Sequence, residues 1–209
     1  MTDVLEVNHP AAAMQLARLR DATTPPEAFR EAARRLGMHL ATAAMDLVPM
    51  HRTTVRSPLG DAPTVVPAHR IVAVPVLRAG LGLLDGVADV IPDLRVGMIG
   101  LARDEDTHEP SQYYRNVPPM DDAWVFLLEP MLATGGSAAA AVEQLGRTEN
   151  AAGITVLSVV ATEAAVEVVS DALPDDGHIV VGSVDPGLDE NAYIVPGLGD
   201  FGDRLYGTV

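Results

Sequence analysis

The chain's densest chemical signal is Glu129-Pro130-Met131-Leu132-Ala133-Thr134-Gly135-Gly136-Ser137. Glu129 supplies a carboxylate that can accept hydrogen bonds from sugar hydroxyls, and the two glycines let backbone approach a ligand closely. Ser137 is placed to cap a following helix, whose unpaired first N–H groups would hold a phosphate. An acid, a short spacer and then Thr-Gly-Gly-Ser therefore suit a sugar phosphate. The same residues could also form a plain strand-turn-helix with a good cap. Two further turns contain groups able to meet a charged ligand. Arg78-Ala-Gly80-Leu-Gly82 follows an apolar run and offers a guanidinium beside bendable backbone, and Arg103 directly follows another apolar run.

The elements that must position these groups are legible from periodicity. Trp124 to Leu128 reads as a strand buried on both faces, and the alanine-rich segment through Leu145 reads as a helix. Strands are also predicted over 70–77, 94–102, 153–160 and 178–185, with a helix after the glycine turn at 80–86 and another over 163–172. Two amino-terminal helices are expected, over 11–20 and from Glu27 to about Leu47. The segment 53–67, broken by Pro58, Gly60 and Pro63, reads as a hairpin or irregular arm. Alternating strands and helices predict an α/β domain with a mainly parallel central sheet flanked by helices, and 209 residues suffice for one such domain spanning 1–209. Glu129 is then the first charge at the carboxyl end of its strand, where open α/β sheets place their ligands.

Composition removes several alternatives. There is no cysteine, so disulfides, thiol nucleophiles and thiolate zinc sites are excluded. All 14 basic residues are arginine; without lysine there is neither a Walker-type phosphate loop nor Schiff-base chemistry. A formal charge of −15 opposes general nucleic-acid binding and favours a divalent cation as escort for a polyphosphate. The absence of a long apolar run and of a signal-like amino terminus predicts a soluble cytoplasmic protein without membrane contact. Gly80-x-Gly82 lacks the third glycine of a dinucleotide fingerprint. Gly197-x-Gly199-x-x-Gly202 satisfies that pattern but leaves no room for the βαβ unit it requires. The glycine-rich tail with Asp200 and Asp203 reads as an irregular loop presenting backbone to a flat heterocycle. His9 and His39 lack evident partners in the sequence, and His39 is assigned to a helix surface or interface. The polar run from Arg103 to Arg115 is read as a solvated loop, apart from Arg103 itself.

Four separated stretches share one resemblance. Val74-Pro-Val-Leu-Arg78-Ala-Gly-Leu-Gly82, His108-Glu-Pro-x-x-Tyr-Tyr114, the Glu129–Ser137 loop and Tyr193-Ile-Val-Pro-Gly-Leu-Gly-Asp200-Phe-Gly-Asp203-Arg are similar in order and spacing to the uracil phosphoribosyltransferase family. The resemblance covers nearly the whole chain. It implies a type I phosphoribosyltransferase fold with a small hood, a homodimer or higher assembly, and possible control by a nucleotide effector such as GTP. It also implies transfer of the ribosyl phosphate of phosphoribosyl diphosphate (PRPP) to uracil, giving UMP and diphosphate with Mg²⁺. Position by position, it assigns Arg78 and Arg103 to the diphosphate, Glu129 to the ribose hydroxyls, and the loop Pro130, Met131, Leu132, Ala133, Thr134, Gly135, Gly136 and Ser137 to PRPP. Ile194, Gly199, Asp200 and Phe201 fall to uracil, with Asp200 also near PRPP and its metal, which is carried mainly by PRPP. Glu129, Asp200 and Arg103 form the expected catalytic set.

The chain departs from the family pattern in several places. Glu129 stands where the family usually has Asp, adding a methylene where a misplacement of about 1 Å can cost on the order of 100-fold in rate. Ala41-Thr-Ala-Ala-Met-Asp46 replaces a commoner Tyr-Glu-Ala-Thr, Ala161-Thr162-Glu163-Ala-Ala165 replaces Ala-Ala-Pro-Glu-Gly, and Ala192 replaces glycine. Against an active enzyme stands a degenerate paralogue that binds PRPP or nucleotide as a sensor or inactive subunit. Transfer to another base is disfavoured by the Tyr193–Asp203 string.

Overall fold

A computed structural model describes residues 3–103 and 110–208. Chain order begins with β1 (Asp3–Glu6), α1 (Pro10–Arg20) and α2 (Pro26–Met45), followed by a hairpin of β2 (Met50–Ser57) and β3 (Gly60–Pro67). Proline stands in the first turn of both helices, where its missing N–H costs nothing. β4 (Arg70–Leu77) leads into α3 (Leu81–Val90), and the strand expected over 94–102 is divided at Gly97 into β5 (Arg95–Val96) and β6 (Met98–Arg103). β7 (Pro110–Asn116) returns antiparallel to β6, so the part of the polar run beyond Glu109 is an edge strand rather than a solvated loop. Its polarity is what an exposed edge tolerates.

The second half carries β8 (Ala123–Leu128), β9 (Met131–Leu132), α4 (Gly136–Glu149), β10 (Gly153–Ser158), β11 (Val160–Thr162) and α5 (Glu163–Ala172). It ends with β12 (His178–Val181), β13 (Val184–Asp185), β14 (Gly187–Leu188), β15 (Ile194–Val195) and α6 (Phe201–Tyr206). The main sheet runs β1-β12-β10-β8-β4-β6-β7, with β5 also on β4, and every pairing except β6–β7 is parallel. The expected parallel sheet flanked by helices is therefore present. β1 went unpredicted because four residues of mixed polarity carry no usable period. The strands expected over 153–160 and 178–185 each bend partway, and their ends form a small second sheet, β13-β11-β9.

Alternation along the central strands sorts the core into two layers. Ile71, Ala73, Trp124, Phe126 and Leu128 pack against α1, α2, α3 and α6, whereas Val72, Val74, Val125 and Leu127 pack against α4 and α5. Inside the first layer α2 and α3 approach so closely that a Cβ on Gly86 would lie 1.9 Å from the Arg34 carbonyl oxygen. The buried Trp124 indole N–H is satisfied by Thr155 Oγ1 at 3.0 Å. The histidines with no evident sequence partner do have partners: His9 Nδ1 caps α1 through the Ala11 N–H at 3.1 Å, and its ring stacks on His39 at 5.5 Å. Burial, then the neighbouring His9, lowers the His39 pKa.

Candidate active site

Parallel pairing of β8, β4 and β6 brings three turns to one edge. Leu128 pairs with Pro75, and Leu77 with Gly100, so Glu129, Arg78 and the end of β6 share the carboxyl side of the sheet. The 78–82 turn lies directly on the end of β8: a Cβ on Gly80 would stand 2.3 Å from the Leu128 carbonyl oxygen. The Leu77–Arg78 peptide is cis. The neighbouring Gly82 faces α6, where its Cβ would meet the Phe201 ring at 2.8 Å. Three stretches far apart in sequence thus form one cluster.

The Glu129–Ser137 loop is held along its whole length. The Glu129 amide donates to the Leu157 carbonyl at 3.1 Å, and the Pro130 carbonyl accepts from the Val159 and Val160 amides and from Ser158 Oγ. Met131 and Leu132 pair with β11 as β9, and Thr162 Oγ1 donates to the Ala133 carbonyl at 2.8 Å. Thr162 also accepts the Ala165 N–H at 3.0 Å and so caps α5. One of the departures from the family pattern therefore supports the loop.

The cap of α4 differs from expectation. Gly135, with φ +80°, occupies the cap position without a side-chain hydrogen bond, and Ser137 lies inside the first turn. The left-handed backbone favours glycine, and a Cβ there would meet the Ala165 carbonyl oxygen at 2.8 Å. The first intrahelical bond at this end runs from the Ala139 N–H to the Gly135 carbonyl, which leaves the N–H groups of Gly136, Ser137 and Ala138 directed out of the helix start. Ser137 and Ala138 border a cavity of ≈ 100 Å³ that is also lined by Glu129 and Met131 to Gly135. That is room for about three waters. A Cβ on Gly136 would meet only Thr134 Oγ1, at 4.0 Å, so the absent side chain leaves space for a ligand.

Glu129 is partly exposed at the mouth of this cavity, yet its carboxyl is closely surrounded. Burial pushes its pKa up to about 8, against a smaller lowering from the Met131 N–H it accepts. Arg78 is 59 % exposed; it donates to Asp203 Oδ1 at 3.4 Å and lies 5.7 Å above the centre of the Tyr206 ring. Such an exposed, long ion pair is weak, and a stronger anion can draw the guanidinium away. Arg103 ends β6, at the same edge; its side chain lies outside the described residues, as do His108 and Glu109.

The tail is more ordered than an irregular loop. β14 and β15 form a hairpin, and Asp200 caps α6 by accepting the Asp203 N–H at 2.8 Å. Sequence reading missed α6 because it is only six residues long and two of them are Gly202 and Asp203. The Ile194 and Phe201 side chains are in the core, Phe201 edge-on to Phe29 at 5.1 Å, so only their backbones are available to a ligand. Gly199 is exposed, with φ +77°. Among the described residues no three His, Asp or Glu side chains converge as a metal site.

The fold and the turn cluster define an α/β protein with a candidate ligand site at the carboxyl edge of a parallel sheet. Comparison with known proteins narrows this class. The uracil phosphoribosyltransferase family model matches residues 6–208, and the chain belongs to that family. The uracil phosphoribosyltransferase of Corynebacterium glutamicum (strain R) is 46 % identical over 210 residues, covering 98 % of this chain and 97 % of the relative. That of Thermus thermophilus is 41 % identical over 204 residues, covering 97 % of each. Among solved structures, the AQ2163 protein of Aquifex aeolicus superposes with a TM-score of 0.89 at 32 % identity, covering 98 % of both chains.

Proposed function

We propose that this protein transfers the phosphoribosyl group of PRPP to uracil, forming UMP and releasing diphosphate. The observation that carries the reading is the joining of the Glu129–Ser137 loop, the Arg78 turn and the start of α6 at one sheet edge. In this assignment the N–H groups of Gly136, Ser137 and Ala138 take the 5′-phosphate, with Thr134 and the rest of the loop from Pro130 around it. Glu129 grips the ribose hydroxyls. Arg78 and Arg103 face the diphosphate, where negative charge collects as the bond to the anomeric carbon breaks. Uracil forms its new bond to that carbon through a ring nitrogen, whose proton passes to a carboxylate or to water as the diphosphate leaves. Gly199, Asp200, Phe201 and Ile194 orient it, largely through backbone groups.

Mg²⁺ belongs to the same proposal. In this assignment Asp200 lies near PRPP and its metal, and the diphosphate and sugar oxygens of PRPP would hold most of the ion's coordination. When bound, it offsets charge on the leaving group. A homodimer or larger assembly is proposed on the β2–β3 hairpin, whose Val55, Val65 and Val66 are exposed and whose tip residue Leu59 is 99 % exposed. A nucleotide effector such as GTP is tested by titrating it into the assay. No helix among the described residues is long and apolar enough to cross a membrane.

The experiment is UMP formation from uracil and PRPP with Mg²⁺, with cytosine, adenine and orotate as controls. Product from uracil alone is expected. Absence of product while calorimetry still detects PRPP binding would make the chain an inactive binder or sensor.

A further inference from the structure

Beside the base loop lies an ion pair that no step of the reaction uses. Asp185, at the end of β13, is 3 % exposed, and both of its oxygens are engaged. Oδ1 accepts from Arg20 Nη2 at 2.6 Å and Ser183 Oγ at 3.1 Å; Oδ2 accepts from Arg20 Nη1 at 2.7 Å and the Gly197 N–H at 2.9 Å. Arg20, the last residue of α1, also donates from Nη1 to the Gly197 carbonyl at 2.9 Å. One pair therefore takes both backbone polar groups of Gly197. Burial alone would raise the Asp185 pKa, but the Arg20 and Gly197 hydrogen bonds outweigh it and hold the carboxyl below its usual value.

The turn so gripped has little slack. Gly197 has φ +52°, and a Cβ there would lie 2.0 Å from the Ile194 carbonyl oxygen. The next carbonyl, that of Leu198, accepts from Arg204 at 2.8 Å; Arg204 also bonds the Leu19 carbonyl and, at 2.6 Å, that of Asp21. Two successive carbonyls of the loop are thus tied by arginines to the end of α1, and the pairing stops at Gly199. There the backbone is exposed, and no hydrogen bond to its N–H or carbonyl occurs among the described residues. Positions 197 and 198 are consumed internally, and position 199 faces outward.

We infer that the part-buried Arg20–Asp185 pair is the positioning device of the base subsite: it fixes Gly197 by both backbone groups and so sets where the Gly199 backbone meets the edge of the base. This rests on the assignment of Gly199–Phe201 to uracil. Neither side chain touches the base, so both are positioning residues. An aligned pair of backbone donor and acceptor discriminates between bases only when held rigidly, and a bidentate guanidinium–carboxylate contact is the stiffest means available to side chains.

The test uses Arg20→Lys, which keeps the charge but loses the planar fork, and Asp185→Asn, which keeps the shape but opposes an NH₂ or a neutral oxygen to Arg20. Each variant is assayed for UMP formation, for PRPP binding by calorimetry and for amide exchange at Gly197 to Gly199. The expected result is a rise in uracil KM of about tenfold or more with PRPP affinity within about threefold of the parent, together with faster exchange at Gly197, since a base held only by misaligned backbone groups loses its specific contacts. Parallel loss of uracil and PRPP, unchanged uracil KM, or failure of both variants to fold overturns the inference, because the pair is then generally structural or irrelevant. Should the parent form no UMP, the activity assignment fails instead. Exchange then still decides the pair's hold on the loop: unchanged rates refute it and faster rates uphold it.

Discussion

At neutral pH most of the Glu129 population is protonated in the free protein, because its pKa stands at about 8. In the proposed assignment Glu129 grips two ribose hydroxyls as a carboxylate, so PRPP would favour the minor, ionised form. With a pKa of 8 the competent fraction at pH 7 is about one tenth, which weakens apparent PRPP affinity about tenfold relative to the plateau above pH 9. Affinity should therefore rise nearly tenfold per pH unit up to about 8 and then level off. PRPP has its own titrating phosphate near the lower end of this range, so the comparison is with Glu129→Gln, in which that contribution remains and the carboxyl's is removed. Calorimetric titration of both proteins between pH 6.5 and 9 gives the difference directly, and a flat ratio of affinities would refute the reasoning. Folding stability provides a second readout of the same group. A carboxyl whose folded pKa is raised stabilises the fold fully below its unfolded pKa, near 4.5, and loses that contribution as pH rises through about 8. Ligand-free wild-type protein should thus lose thermal stability across this window relative to Glu129→Gln.

Thr162→Ala removes a buried cap and the bond to the Ala133 carbonyl, and should cost about 1–2 kcal/mol, seen as a lower melting temperature, with PRPP KM raised more than uracil KM. Gly135→Ala must accept φ +80° and a Cβ 2.8 Å from the Ala165 oxygen; at least about 1 kcal/mol of stability and most PRPP affinity should be lost, measured by thermal unfolding and calorimetry. Arg78→Ala should weaken PRPP binding well beyond uracil binding while leaving the melting temperature nearly unchanged, since its contacts to Asp203 and Tyr206 are long and exposed. Equal loss of both substrates would remove Arg78 from the diphosphate.

Much of this protein was determined by sequence on its own. The buried strands around Trp124 and Arg70, the helices behind them and the parallel sheet follow from apolar runs and periodicity, which act locally and survive in a one-dimensional reading. The Glu129–Ser137, Arg78–Gly82 and Tyr193–Arg204 strings likewise resemble, in order and spacing, those of the uracil phosphoribosyltransferase family to which the chain belongs. The alternation of strands and helices placed Glu129 at a strand's carboxyl end, but the joining of the three strings there is seen only in the fold.

Other features depended on neighbours remote in sequence. β1 and β7 exist because β12 and β6 offer edges, and α6 because Asp200 caps it and Phe201 meets Phe29. The α4 cap passed from Ser137 to Gly135 because the loop must turn left-handed against Ala165. Glu129's high pKa arises from the atoms packed around it, and Thr162 supports the loop only because β11 runs beside β9. Arg20 and Asp185 are 165 positions apart and carry no shared motif. Their pairing belongs to the tertiary structure, because only folding brings the partly exposed Arg20 at the end of α1 against the buried Asp185 of β13.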